Sequence, residues 1–372
     1  MSLPPAHGPL ADHAVPSPNR LLVVKVHGMG DAVLVRSVIE HIRRHHPSLV
    51  IGVLAGDATR EALTIGSNFR LHQYSQKNLS VRSALRTLRE IKACAYDTVV
   101  NFEQGSLAGS SFLYATGIPS RIGFVANRIS PKTAFLTHAA SFSDGASMWQ
   151  SFLALARRAD PSLSQSLMPV PLPLSDEQLL AGKSWLQAKV PNPQTHKIAF
   201  HLGCGTGQPF KRWPLRSFAA LAHQISHYDS NIAIILTGQP HERGLLTQFC
   251  SIYKRQTIDA SGFDSIGMTA SVLNACDLLV SNDTGVMHLG AAMGTPTVGL
   301  FGATAPEQWA PSGPRVAYVY ETTASCSPCI NSYFNIVPVR CANPDYARCI
   351  KDVRVEAVLN AARTVITGHW IA

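Results

Sequence analysis

DLLVSND (277–283), TGVMHLGAAMG (284–294) and TPTVGLFG (295–302) form one continuous stretch whose reading decides the fold. The first and last pieces are apolar runs suited to buried strands, and the middle piece opens on a glycine turn and carries small helix-compatible residues. Strand, helix and strand in that order imply a right-handed β-α-β unit and a parallel sheet. The same alternation extends upstream through KIAFHLG (197–203), the helical LRSFAALAHQIS (215–226), IAIILTG (232–238) and a helix that ends in SVLNAC (271–276). A second series opens the chain: LLVVKV (21–26), a turn HGMGD (27–31), a helix carrying Val38, Ile39 and Ile42, then LVIGVLA (49–55), TVVNF (98–102) and RIGF (121–124).

The proline-rich MPVPLPLSDEQ begins at 168, and one helix (176–188) and the loop VPNPQTH follow it. The expected organisation is an extension over 1–20, an N-terminal domain over 21–170, a linker over 171–196 and a C-terminal domain over 197–372. A chain of 372 residues suits two cores of about 150–180 residues each. Apolar residues make up 46% and charged ones 15%, a globular composition. No apolar run is long enough to span a bilayer, and the first twenty residues lack the pattern of a secretory signal. A cytoplasmic protein is expected, with peripheral membrane contact left open. The net charge of +9 favours an anionic partner. Arg82, Arg86, Arg89 and Lys92 share one face of a helix opposite Val81, Leu85, Leu88 and Ile91. That face reads first as solvated and second as a place for an acceptor.

Three glycine-containing turns follow buried strands: HGMGD (27–31), GCGTGQPFK (203–211) and NDTGVMH (282–288). In doubly wound sheets ligands bind beyond the carboxyl ends of the strands, where backbone N–H groups face an anion. A phosphate-bearing ligand in one cleft is the expectation. GxGxxG with a spaced acid and GxxxxGK[ST] are both absent, which argues against dinucleotide oxidoreductases and P-loop enzymes. Lys211 can neutralise a diphosphate leaving group, and Thr206 can add a hydroxyl. Asp283, Thr284 and Gly285 end a strand and begin a helix, so they serve as a cap, a phosphate site, or both. His288 follows one turn later. Asp31 can take a proton from an attacking hydroxyl, and helix capping is its alternative role. The chain has no D-x-D pair, so catalysis is expected to need no metal or other cofactor.

Together these segments resemble glycosyltransferase family 9, the heptosyltransferases. SNDTGVMHLGAAMGTPTVGLFGATAPEQWAP (281–311) resembles the main signature of that family, VVKVHGMGD (23–31) its N-terminal signature and GTGQPFKRWP (205–214) its phosphate loop. LTGQPHE (236–242) and Met268–Thr269 also fit, so the likeness spans about 21–312. It implies a GT-B fold of two Rossmann-like parallel-sheet α/β domains facing a cleft, and inverting transfer of heptose from ADP-heptose. By the same resemblance Asp31 is the general base, and Thr206 and Lys211 hold the diphosphate. Asp283, Thr284, Gly285 and His288 bind heptose and phosphates, Met268 packs on adenine and Glu242 contacts the ribose. His27, Gly28 and Ser37 depart from the family pattern, all on the acceptor side.

Cys326, Cys329, Cys341 and Cys349 have a C-x2-C-x11-C-x7-C spacing, which suits a structural zinc or iron knuckle over 326–349. Four reduced thiols in a loop are the alternative. In the family's autotransporter-modifying members a similar knuckle holds iron. The acceptor therefore stays open between the lipopolysaccharide inner core and a protein, and the assembly between monomer and homo-oligomer. A zinc-knuckle nucleic-acid-binding protein is a third reading. It is disfavoured because the basic residues are not interleaved with aromatics, so no nucleic-acid partner is expected.

Overall fold

In β1 (Arg20–Lys25) every residue after Arg20 is buried, so the strand is covered on both faces, as a central parallel strand must be. The computed structural model describes residues 17–75, 80–104, 107–125, 131–141, 145–205, 207–331 and 336–366. Residues 1–16 of the expected extension and Thr206 lie outside them. The chain divides into two units, Met1–Pro169 and Val170–Ala372.

In the first unit β1 is followed by α1 (Met29–His45), β2 (Val50–Gly56), α2 (Arg60–Thr64), β3 (Arg70–Tyr74) and α3 (Val81–Ala93). Then come β4 (Thr98–Asn101), α4 (Leu107–Ala115), β5 (Ser120–Val125), β6 (His138–Ser141) and α5 (Met148–Ala159). The sheet order is β3-β2-β1-β4-β5-β6. Each pair is parallel, with Leu22 opposite Val99 and Val23 opposite Val53. Phe152 of α5 seals the sheet edge-on against Phe102 and tilted against Phe124. Such aromatic pairs add about 0.5–1.5 kcal/mol each beyond area burial.

The second unit holds α6 (Asp176–Lys189), β7 (His196–His201), α7 (Leu215–Tyr228), β8 (Ile232–Gly238), α8 (Arg243–Tyr253), β9 (Thr257–Ser261) and α9 (Ile266–Asn274). It continues with β10 (Leu278–Asn282), α10 (Gly285–Ala292), β11 (Thr297–Phe301), α11 (Pro306–Trp309), β12 (Val316–Tyr320), α12 (Arg348–Lys351) and α13 (Val355–Val365). Its order, β12-β11-β10-β7-β8-β9, repeats the first topology, again all parallel. Phe200, Phe218, Phe249 and Trp213 form its aromatic centre. The doubly wound α/β architecture expected from the alternating pattern is present in both units.

The helix expected over 176–188, within the stretch 171–196 read as a linker, is present as α6. This helix docks on α9 of the second unit: the Ser271 hydroxyl donates to the Gln178 carbonyl at 2.7 Å and accepts from the Gly182 N–H at 3.1 Å. The basic helix α3, fixed at its start by a Ser80–Ser83 capping box, buries only Ile91 of its apolar residues. Val81 and Leu85 stay 79% and 45% exposed beside the arginines, so amphipathic spacing did not translate into burial along its whole length.

Candidate functional site

In both sheets the order reverses beside the first strand, between β1 and β4 and between β7 and β10. The carboxyl ends of those strands flank a crevice that ligands use in open α/β sheets. The candidate residues gather at these two places.

In the first unit Gly28 takes φ +79°, a left-handed conformation that glycine adopts without strain, and the chain turns directly into α1. Asp31 lies in the first turn of that helix. Its Oδ2 meets Lys25 Nζ at 2.8 Å, and the same ammonium lies 3.4 Å from Glu103 Oε1, just beyond β4. Lys25 is almost wholly buried and stands over the Phe152 ring. Burial works to lower its pKa, but the two carboxylates outweigh burial and raise it. Glu103 Oε1 also accepts from the backbone N–H groups of Val26 at 2.7 Å and His27 at 2.9 Å, and His27 Nδ1 lies 3.4 Å from Oε2. Burial pushes the Glu103 carboxyl up, but the His27 hydrogen bonds and the Lys25 charge overcome it and hold it at about 2. Of this cluster, sequence reasoning gave a role only to Asp31 and noted His27 as a departure from the family pattern. A lysine inside an apolar strand was the available signal for Lys25.

In the second unit Lys211 ends a short 3₁₀ turn, Pro209–Lys211. Its Nζ lies 2.5 Å from Asp283 Oδ2, which also accepts the Thr304 hydroxyl at 2.6 Å. Thr284 occupies the N-cap position of α10, yet its side chain makes no capping hydrogen bond. The simple capping role considered for Asp283 and Thr284 is therefore not what their side chains do here. Instead Asp283 is spoken for by Lys211 and Thr304, and the start of α10 is left to present its N–H groups to an anion. Gly285 opens that helix and His288 is buried on it.

Asn282 joins this corner together. Its amide nitrogen donates to the carbonyls of Leu202 at 3.0 Å and Gly203 at 3.1 Å, and its oxygen accepts from Trp213 N–H at 2.9 Å. Glu242 is buried beyond β8, with Oε2 accepting from Gln239 N–H at 2.9 Å. A Cβ at position 203 would come within 1.8 Å of Glu242 Oε1, so a larger residue there would have to displace that carboxylate. Met268 is half-buried in the first turn of α9, where its N–H donates to the Ser265 hydroxyl. Among the described residues neither Glu242 nor Met268 makes a polar contact with the Lys211–Asp283 pair. The structure thus joins Lys211 directly to Asp283 and sets Glu242 and Met268 on neighbouring strand-to-helix connections.

The four clustered cysteines grade from exposed Cys326 through half-buried Cys329 and Cys341 to buried Cys349. Burial and the neighbouring thiols raise Cys349 to about 11, and the Ala347 N–H donates to Cys341 Sγ at 3.3 Å. Even so, among the described residues no group of three or more His, Cys, Asp or Glu side chains is arranged to hold a metal ion. The fit to zinc or iron that the spacing suggested is not supported by this geometry.

A family model described as glycosyltransferase family 9 (heptosyltransferase) matches residues 84–335. Lipopolysaccharide heptosyltransferase 2 of Salmonella typhimurium is 23% identical over 302 residues, covering 77% of this chain and 84% of that protein. The solved structure of E. coli ADP-heptose lps heptosyltransferase II aligns with TM-score 0.70 at 20% identity, over 92% of this chain and 97% of that one. A family 9 glycosyl transferase from Veillonella parvula aligns with TM-score 0.74 at 19% identity, over 93% and 97%.

Proposed function

The chain belongs to glycosyltransferase family 9, the heptosyltransferases, and is a glycosyltransferase of GT-B fold; from that premise we propose that it moves heptose from ADP-heptose to a hydroxyl of the lipopolysaccharide inner core. The observation that carries this reading is the pairing of chemistries at the two switch points. A carboxylate of the first unit stands ready to accept a proton, and a lysine and an uncapped helix start of the second stand ready to receive phosphate.

In the proposed reaction Asp31 takes the proton of the acceptor hydroxyl as its oxygen attacks the anomeric carbon. The bond from that carbon to the diphosphate oxygen breaks, with inversion, and ADP leaves. Charge grows on the departing diphosphate, where Lys211 and the N–H groups of α10 stabilise it more in the transition state than in the ground state. Lys211 is held at this post by Asp283, whose pairing keeps the ammonium in place before the donor arrives. Met268 would lie against adenine, Glu242 against the ribose, and Asp283, Thr284, Gly285 and His288 around the heptose and its phosphates. Thr206 would share the diphosphate, although it lies outside the described residues. No step needs a cofactor.

The relatives' names favour lipopolysaccharide over protein as the acceptor class. The protein acceptor was raised by cysteine spacing alone, and among the described residues no metal-holding group of side chains adds to it. We place the reaction at the cytoplasmic face of the inner membrane, where a lipid-borne core would be met by contact alone. No helix among the described residues is long and apolar enough to cross a membrane.

The deciding experiment incubates the protein with ADP-heptose and deacylated, heptose-deficient lipopolysaccharide core. Mass spectrometry should show the acceptor gaining one heptosyl unit with stoichiometric ADP. Transfer from UDP-sugars but not from ADP-heptose, or no transfer to the core, would refute the proposal.

A further inference from the structure

The first unit places one cation between two carboxylates beside the proposed base. Lys25 is buried at the end of β1, and its Nζ reaches Asp31 Oδ2 at 2.8 Å and Glu103 Oε1 at 3.4 Å. A lysine isolated in an apolar strand would be costly, and two partners exceed what is needed to neutralise it. The set carries one positive and two negative charges, so it is over-supplied with acid. Glu103 is also the more firmly committed carboxylate, because it accepts two backbone N–H groups and faces His27. Asp31 makes its ion pair through Oδ2, which leaves Oδ1 to an acceptor hydroxyl.

We propose that Lys25 and Glu103 are positioning residues for the transfer: Lys25 orients the Asp31 carboxylate, and Glu103 shares that ammonium and sets a second negative charge beside the proposed base. Glu103 draws the ammonium toward itself and adds a like charge beside Asp31. It stays ionised throughout the working range, since its own carboxyl is held at about 2. Lys25 stays protonated, because both carboxylates outweigh the burial that opposes its charge. The other groups around the trio are His27 in the turn, packed edge-on against Tyr74, and the Phe152 ring of α5. Beyond β2, Asp57 is occupied by Gln73 and Ser75.

The inference rests on Asp31 being the base, and the test separates the two. Glu103→Gln keeps a carbonyl oxygen for the Val26 and His27 N–H groups and removes only the charge. With ADP-heptose and deacylated core, the acid limb of kcat/KM should move down by about one pH unit, the shift expected from losing one adjacent like charge. A weaker base also transfers protons more slowly, so plateau kcat should fall about threefold with KM for ADP-heptose unchanged. Lys25→Met should move the limb the opposite way, and Lys25→Arg should restore it. Should Lys25→Met fail to fold, as judged by its melting curve, the Glu103→Gln profile decides alone. Profiles that superimpose on wild type, or that move in the same direction for both changes, overturn the proposal. If Asp31→Asn keeps near-normal turnover, the base assignment itself falls. If Asp31→Asn is inactive while Glu103→Gln leaves the limb unmoved, only the positioning role falls.

Discussion

Replacing Lys211 by Met separates what the Lys211–Asp283 pair does for stability from what it does for transfer. The two atoms are 2.5 Å apart, and the side chains are 13% and 9% exposed. At an effective dielectric constant near 20, Coulomb's law gives roughly 6–7 kcal/mol of attraction at that separation. Desolvation of both groups takes back most of it, so a double-mutant cycle should return a coupling of about 1–3 kcal/mol. Lys211→Met alone leaves Asp283 with Thr304 as its remaining partner and should be the less stable single variant. Adding Asp283→Asn removes the stranded charge and should recover much of that loss in urea unfolding. Transfer should behave differently. Without the ammonium the leaving diphosphate loses a preorganised charge, and kcat should drop by about 10²–10³, the scale seen when one transition-state donor is removed. The double variant should stay equally slow, as followed by ADP release. Two results would refute the reasoning. One is a Lys211→Met enzyme that keeps a third of wild-type turnover. The other is a double variant that regains turnover together with stability, which would mean that Lys211 serves only to neutralise Asp283.

Asp31→Asn should abolish transfer while ADP-heptose affinity, by calorimetry, stays within about threefold, because general base action is lost and donor contacts are not. Asn282→Ala should cost about 2–4 kcal/mol in urea unfolding, since it leaves the Trp213 N–H and the Leu202 and Gly203 carbonyls of a buried corner without their partner. A loss under 1 kcal/mol would show that water replaces the amide. Glu103, with its carboxyl held at about 2, contributes stability that is full above the ordinary carboxylate range and is lost as pH falls toward 2. That depression corresponds to about 3 kcal/mol, so wild-type unfolding free energy should decline between about pH 5 and pH 2 and Glu103→Gln should flatten that decline. Equal slopes for the two proteins would contradict the assignment.

The central strands of both sheets were readable from local sequence. LLVVKV and IAIILTG are apolar runs covered on both faces, and β8 falls on the expected residues 232–238. The four strands that were not anticipated are β3, β6, β9 and β12, which are the outermost strands of their sheets. An edge strand has a neighbour on one side only and need not be apolar throughout. RLHQY of β3 buries only His72, which leaves no hydrophobic run to recognise. The spacing of α3 shows a related limit: periodicity marks a face but does not say whether another element covers it.

Local residue pattern is enough to set the alternation of strand and helix, the two-fold repetition of that alternation, and the turns at which Asp31, Lys211 and Asp283 stand. All of these follow from hydrophobic period, glycine and capping chemistry within a few residues. Tertiary structure alone decided who those residues meet. Pairing β1 with β4 carries Glu103 to Lys25, and pairing β7 with β10 carries Asp283 and Asn282 to the loop that holds Lys211 and Trp213. These partners lie about seventy or more residues apart, and no local pattern encodes a contact created by strand order. Burial then gives each contact its strength, because a charge near the end of a covered strand has only the neighbours that the sheet brings to it.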